Sequence, residues 1–175
     1  MTRIFLVGYM GAGKTTLGKA LSKAIGLPFV DLDWYIESRY HQTISDLFAR
    51  RGEDGFRQLE RTMLHEVGEF EDVIISCGGG TPCFFDNMDY MNRQGPTVWL
   101  DASTDCLFRR LSKGLRKRPV LQGKTDEALR EFIQQNLNSR LDYYARARLR
   151  IDSSRLENRQ QVADTVSELR TMLGL

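Results

Sequence analysis

Residues 8 to 15 read Gly8-Tyr9-Met10-Gly11-Ala12-Gly13-Lys14-Thr15, the spacing G-x-x-x-x-G-K-[ST] of a phosphate-binding loop. Before it, Arg3-Ile4-Phe5-Leu6-Val7 is short and mostly apolar, as a buried strand is. After it, Leu17, Ala20, Leu21, Ala24 and Ile25 fall on one face of a helix. Strand, glycine turn and helix together are the context the motif requires. The glycines let backbone N–H groups curl around phosphate oxygens, and the helix start adds its positive end. Lys14 is expected to reach the β- and γ-phosphates and the Thr15 hydroxyl to hold Mg²⁺. These residues predict a site for a nucleoside triphosphate.

Four more strand candidates follow: Phe29-Val30-Asp31, Val73 to Cys77, Thr97 to Leu100 and Leu149 to Ile151. Helical stretches are predicted over Ile44–Arg51, where Thr43 and Asp46 form a capping box, and over Glu53–Glu69. Others are Ser103–Leu111, Thr125–Tyr143 and Leu156–Leu173. Strands alternating with helices imply an α/β fold, a parallel sheet covered on both faces. The length of 175 residues suits a single domain over 1–175.

With the loop starting at Gly8, no signal peptide is expected, and no apolar run approaches a membrane span. Cys77, Cys83 and Cys106 lack metal-ligand spacing and suit a reducing cytoplasm. A net charge of +2 gives no argument for nucleic acid. Arginine makes up 19 of the 25 basic residues, and its planar fork suits phosphate and carboxylate better than the point charge of lysine. Between Arg109 and Lys124 stand seven basic residues and no acid, with Gly114, Pro119 and Gly123. Such a loop would close over a phosphate site as lids do. Small size and polar helices predict a monomer.

A small-molecule kinase, a GTPase switch and an ATPase motor all use such a loop. The nearest match to a guanine motif, Gly123-Lys124-Thr125-Asp126, lacks its Asn or Thr, and Thr125 reads better as a helix cap. Motors need a longer chain or partner subunits. Length, lid and sheet favour the kinase. Asp31-Leu32-Asp33 closes the second strand with two carboxylates on one side. One can serve Mg²⁺, and the other can orient an attacking hydroxyl and accept its proton. The bland alternative is a helix cap, with Asp33 the candidate because it precedes Trp34, and that could account for one of the pair but hardly both. Gly78-Gly79-Gly80 follows the third strand at the same sheet edge, as expected where a ligand nears the main chain. Arg57 and Arg140 could clamp an anion, although spacing alone singles out neither.

Together these residues resemble the shikimate kinase family. The likeness rests on the early phosphate loop, Asp31-x-Asp33, Phe56-Arg57-x-x-Glu60, Gly78–Gly80, Arg118-Pro119-Val120-Leu121, and Arg140 four residues before Tyr144. It implies transfer of the ATP γ-phosphate to the 3-hydroxyl of shikimate, a step toward chorismate and the aromatic amino acids. It also implies a five-stranded parallel sheet in order 2-3-1-4-5, acceptor-binding helices over about 33–60 and a lid over about 112–124. By the same resemblance Gly11, Ala12, Gly13, Lys14, Thr15 and Thr16 bind the nucleotide phosphates. Thr15 and Asp31 support Mg²⁺, and Asp33 is the base. Arg57 and Arg140 bind the shikimate carboxylate, and Gly78, Gly79 and Gly80 offer backbone contacts. Phe48 and Phe56 wall the acceptor pocket. Arg118 swings onto the phosphates, its choice over Arg116 resting on the Arg-Pro register, and Arg110 and Arg155 lie by the adenine. A gluconate kinase of the same fold, with a different acceptor, and a noncatalytic nucleotide-binding regulator are the alternatives.

Overall fold

Five runs of apolar and β-branched residues pair as strands in the computed structural model, which describes residues 2–114 and 121–175. They are β1 (Arg3–Val7), β2 (Phe29–Asp31), β3 (Val73–Ser76), β4 (Thr97–Asp101) and β5 (Leu149–Asp152). All neighbours are parallel, in the order β2-β3-β1-β4-β5. The central strands β1, β3 and β4 are buried almost end to end, and their unbroken apolar runs reflect helices on both faces. The edge strands β2 and β5 are only partly covered.

The helices among the described residues are α1 (Lys14–Ile25), α2 (Leu32–Tyr40), α3 (Ile44–Gly68), α4 (Asn87–Gln94), α5 (Thr104–Lys113), α6 (Asp126–Tyr144) and α7 (Arg159–Leu173). Crossovers between parallel strands are right-handed. The chain leaves β1 toward one edge and returns through β3, β4 and β5 toward the other. That reversal puts α1 and α7 together on one face, and α3 with α4 and α5 with α6 on the other. It also opens a crevice at the carboxyl ends of the central strands. None of the described helices is long and apolar enough to cross a membrane.

Local chemistry sets the helix ends. The Thr43 hydroxyl accepts from the Asp46 N–H at 3.1 Å while the Asp46 carboxylate accepts from the Thr43 N–H at 3.3 Å, the expected capping box. Ser103, Thr125 and Asn158 cap α5, α6 and α7. Gly52, at φ 67°, breaks α3 between the two helices predicted there.

Three expectations change. Asp31, not Asp33, caps α2: its Oδ1 accepts from the N–H groups of Asp33 and Trp34, because buried Leu32 is already the first helical residue. The last helix starts at Arg159 rather than Leu156, since Asn158 supplies the cap. A 3₁₀ turn over Thr81–Cys83 and the short α4 were not predicted; α4 is only two turns of mostly polar residues, with Met88, Tyr90 and Met91 turned inward.

The turn into β4 depends on one missing side chain. A β-carbon on Gly95 would lie 2.2 Å from the Arg3 carbonyl oxygen, a backbone atom that cannot swing aside. Gly95→Ala should therefore cost about 1–3 kcal/mol. Thermal melting should read this as a Tm several degrees lower, and an unchanged Tm would show that the turn relaxes freely.

Candidate active site

The carboxyl ends of β1, β2 and β3 open into a cleft of about 580 Å³. Its floor is the phosphate loop, with Gly11, Gly13, Lys14, Thr15 and Thr16 on the lining. Asp31, Asp33, Ser76, Cys77, Gly78 and Gly79 form one wall, and Arg110, Gly114 and Leu156 form the other.

Gly11 and Gly13 take φ of 82° and 97°, left-handed values that bend the loop into an anion-binding nest. A loop whose N–H groups turn inward must find donors for its carbonyls. Lys14 Nζ donates to the Gly8 and Tyr9 carbonyls at 2.7 and 3.1 Å. Arg110 Nη1 donates to those of Gly11 and Ala12 at 3.2 and 3.4 Å.

Asp31 has two duties. One carboxylate oxygen caps α2, and the other accepts from the Thr15 hydroxyl at 3.3 Å. Two oxygen donors at the start of α1 and the end of β2 make a set that suits a hard cation. Asp33, half-buried in the first turn of α2, points at Gly78. Its carboxyl is raised to about 6, first because burial strips its water, then because Asp31 and Glu60 place negative charge beside it; Lys14 offsets part of this.

The glycine triplet is where the acceptor side takes shape. A β-carbon on Gly78 would stand 2.9 Å from Asp33 Oδ1, one on Gly79 3.2 Å from Arg140 Nη1, and one on Gly80 2.7 Å from Arg57 Nη2. These glycines have negative φ or extended backbone, so space for neighbouring side chains explains them better than turn geometry. The Tyr144 hydroxyl donates to the Gly79 carbonyl at 2.6 Å and fixes the turn from α6.

Arg57 is held from several sides. Its Nη1 donates to buried Glu60 at 2.9 Å, and Glu60 also accepts from the Thr81 hydroxyl at 2.8 Å. The guanidinium lies 4.1 Å from the Phe84 ring centre and 5.4 Å from those of Phe48 and Phe56, which stack on each other. The buried Nε of Arg57 has no hydrogen-bond partner among the described residues. Half-buried Cys83 is pushed up to about 11 by burial and pulled back by Arg140 and Arg57.

The structure thus gathers the loop residues, Asp31, Asp33, Arg57, Gly78, Gly79, Gly80, Arg110 and Arg140 at one edge of the sheet. It does not bring Arg155 to the cleft: that residue is exposed and borders a separate hollow with Asp152 and Asp164. The neighbouring Leu156 takes the wall, 2.6 Å from where a β-carbon on Gly13 would stand. Arg118, and Arg116 beside it, lie outside the described residues.

Sequence reasoning missed the parts played by Glu60, Thr81, Phe84 and Leu156. The i,i+3 spacing of Arg57 and Glu60 was a usable signal for their ion pair. Nothing local announces the other three.

The shikimate kinase family model matches residues 10–170. A shikimate kinase of Bacteroides fragilis is 57% identical over 175 residues, covering 100% of this chain and 98% of that protein. The crystal structure of shikimate kinase from Bacteroides thetaiotaomicron superposes with a TM-score of 0.94 at 54% identity, covering 99% of each chain. Shikimate kinase from Acinetobacter baumannii in complex with shikimate gives 0.85 at 29% identity, covering 99% of this chain and 94% of that one. Likeness along the full length, in sequence and in fold, joins a phosphate loop facing a two-arginine, one-aspartate edge: this chain belongs to the shikimate kinase family.

Proposed function

We propose that this chain transfers the γ-phosphoryl group of ATP to the 3-hydroxyl of shikimate, as a monomer in the cytoplasm. The observation that carries this is the convergence of Asp33, Arg57 and Arg140 on Gly78–Gly80 beside the phosphate loop. A ring acid with vicinal hydroxyls calls for cations at one end and a carboxylate with open backbone at the other. The free thiols of Cys77, Cys83 and Cys106 suit a reducing compartment.

Phosphoryl transfer asks the protein mainly for positioning and charge neutralisation. The loop N–H groups and the start of α1 hold the phosphates, and Lys14 turns from its carbonyls to the β- and γ-oxygens. Thr15 and Asp31 fit Mg²⁺, a small cation that keeps most of its water and takes one or two protein oxygens. The chemistry Mg²⁺ supplies when bound is neutralisation of charge on the β- and γ-phosphates. Arg57 and Arg140 bind the carboxylate of shikimate and set its ring against the glycine turn. Asp33 hydrogen-bonds the acceptor hydroxyl and takes its proton as the bond to phosphorus forms. Arg118, on the lid, adds positive charge at the γ-phosphate.

An ADP-release assay with Mg-ATP tests this, comparing shikimate, gluconate and no acceptor. Release that depends on shikimate alone is expected. Release with gluconate would move the acceptor assignment, and ATP binding without release would favour a noncatalytic regulator.

Asp33→Asn should lower kcat by about 10²–10⁴ while ATP affinity stays near wild type. Substantial remaining turnover would remove Asp33 from the role of base.

The acid must be ionised to act as a base, so a raised value costs activity on the acid side. In the ligand-free protein the Asp33 carboxyl should titrate near pH 6 by carbon-13 NMR. Below that pH the protonated fraction grows, and kcat/KM for shikimate should fall; a carboxyl titrating near 4 would contradict the desolvated site.

Arg57→Ala would strand Glu60 as an unpaired buried charge, so Arg57→Lys is the cleaner probe. It keeps a cation beside Glu60 and loses the planar fork. KM for shikimate should rise by about tenfold or more, with KM for ATP little changed. An unchanged KM for shikimate would show that the carboxylate binds elsewhere.

A further inference from the structure

Hydrogen bonds alone leave the plane of the Arg57 guanidinium loose. Its side chain is 11% exposed, and among the described residues it makes one hydrogen bond, from Nη1 to Glu60 Oε1 at 2.9 Å. The Glu53 carboxylate lies 3.7 Å from Nε, beyond hydrogen-bond range. A group tied at one corner can still swing about that bond. Gly80 bounds the terminal end, where a β-carbon would stand 2.7 and 2.8 Å from Nη2 and Nη1. The ring nearest to the guanidinium is Phe84, 4.1 Å away at its centre, against 5.4 Å for Phe48 and Phe56. The turn that carries Phe84 is itself braced. The Cys83 N–H donates to the Gly80 carbonyl at 2.9 Å, and the Asn87 N–H to that of Phe84 at 3.2 Å. Buried Asn87 also donates from Nδ2 to the Thr81 carbonyl at 2.9 Å. The ring thus sits on a turn continuous with the glycine triplet, while Arg57 arrives from α3.

We propose that Phe84 is a positioning residue for the acceptor site: its ring holds the Arg57 guanidinium in the plane needed for a bidentate grip on the acceptor's carboxylate. This deepens the reading of Arg57 as the carboxylate ligand and rests on it. The ring quadrupole attracts the cation, and a flat guanidinium stacks on a flat ring, so the contact fixes tilt as well as place. A bidentate pair is lost when the fork tilts, because its two parallel N–H···O bonds share one plane with the carboxylate. One turn further along α3, Arg61 lies 5.3 Å from the ring centre of Phe85 and pairs with Asp86 at 2.8 Å. Phe85 is 52% exposed. That second contact docks α3 on the same turn through a different arginine, and so separates docking from positioning.

Steady-state kinetics with shikimate and Mg-ATP test this. Phe84→Leu keeps apolar bulk and loses the ring face. KM for shikimate should rise about fivefold, with kcat and KM for ATP within about twofold of wild type. Phe85→Leu should leave all three within about twofold. In an Arg57→Lys background, Phe84→Leu should add less than about twofold, because an ammonium offers no plane to hold. An unchanged KM for shikimate in Phe84→Leu would overturn the proposal. The same factor in both backgrounds would overturn it too, since the ring would then act without Arg57. An equal rise in Phe85→Leu, or a parallel change in kcat and KM for ATP, would reduce Phe84 to a packing residue. If Phe84→Leu does not fold, Phe84→Met answers the same questions. Wild-type protein that neither binds nor phosphorylates shikimate would overturn the acceptor reading itself.

Discussion

The missing β-carbons of Gly78, Gly79 and Gly80 let charged side chains from three helices close on a single turn. Asp33 comes from α2, Arg57 from α3 and Arg140 from α6, each within about van der Waals reach of where a β-carbon would stand. A side chain at any of the three positions would push one of these groups away. The crowding also sorts the charges. Glu60 is neutralised by Arg57 and held by Thr81, whereas Asp33 has Asp31 and Glu60 as its strongest charged neighbours. Burial and those neighbours raise the proton affinity of Asp33.

At the phosphate loop, side chains hold the backbone in shape. Asp31 ties the start of α2 to Thr15 at the start of α1, so the end of β2 and the phosphate loop cannot shift independently. Lys14 and Arg110 donate to four carbonyls of the loop, those of Gly8, Tyr9, Gly11 and Ala12. The two halves of the cleft meet at Asp31 and Asp33, two residues apart across a helix start. One accepts from Thr15 and the other points at Gly78.

Much of this was legible in the linear chain because it depends on near neighbours. All five strands were predicted, two of them to the residue and the other three to within one residue at one end, since apolar runs between turn residues need no distant partner to be recognised. The Thr43 box, the Thr125 cap and the break at Gly52 were equally local. Asp33 as cap was misread by one short step, because the choice between Asp31 and Asp33 turns on whether Leu32 is buried, and that depends on the packing of α2 against the sheet. Arg155 does not line the cleft, for a related reason. Its exposure and the inward turn of Leu156 follow from where Asn158 starts α7 and from contact with Gly13 across the fold.

The sequence by itself determined the phosphate loop, the alternating sheet and the identity of the residues available for chemistry, since motif spacing and apolar period are properties of adjacent residues. Only the tertiary structure decided their partners. Phe84 stacks on Arg57 from a turn well downstream, Tyr144 reaches back to Gly79, and Arg110 is bound to a loop about a hundred residues earlier and to a segment some forty later. Such contacts arise because parallel strands joined by right-handed crossovers bring all their carboxyl ends to one edge, whatever their separation along the chain.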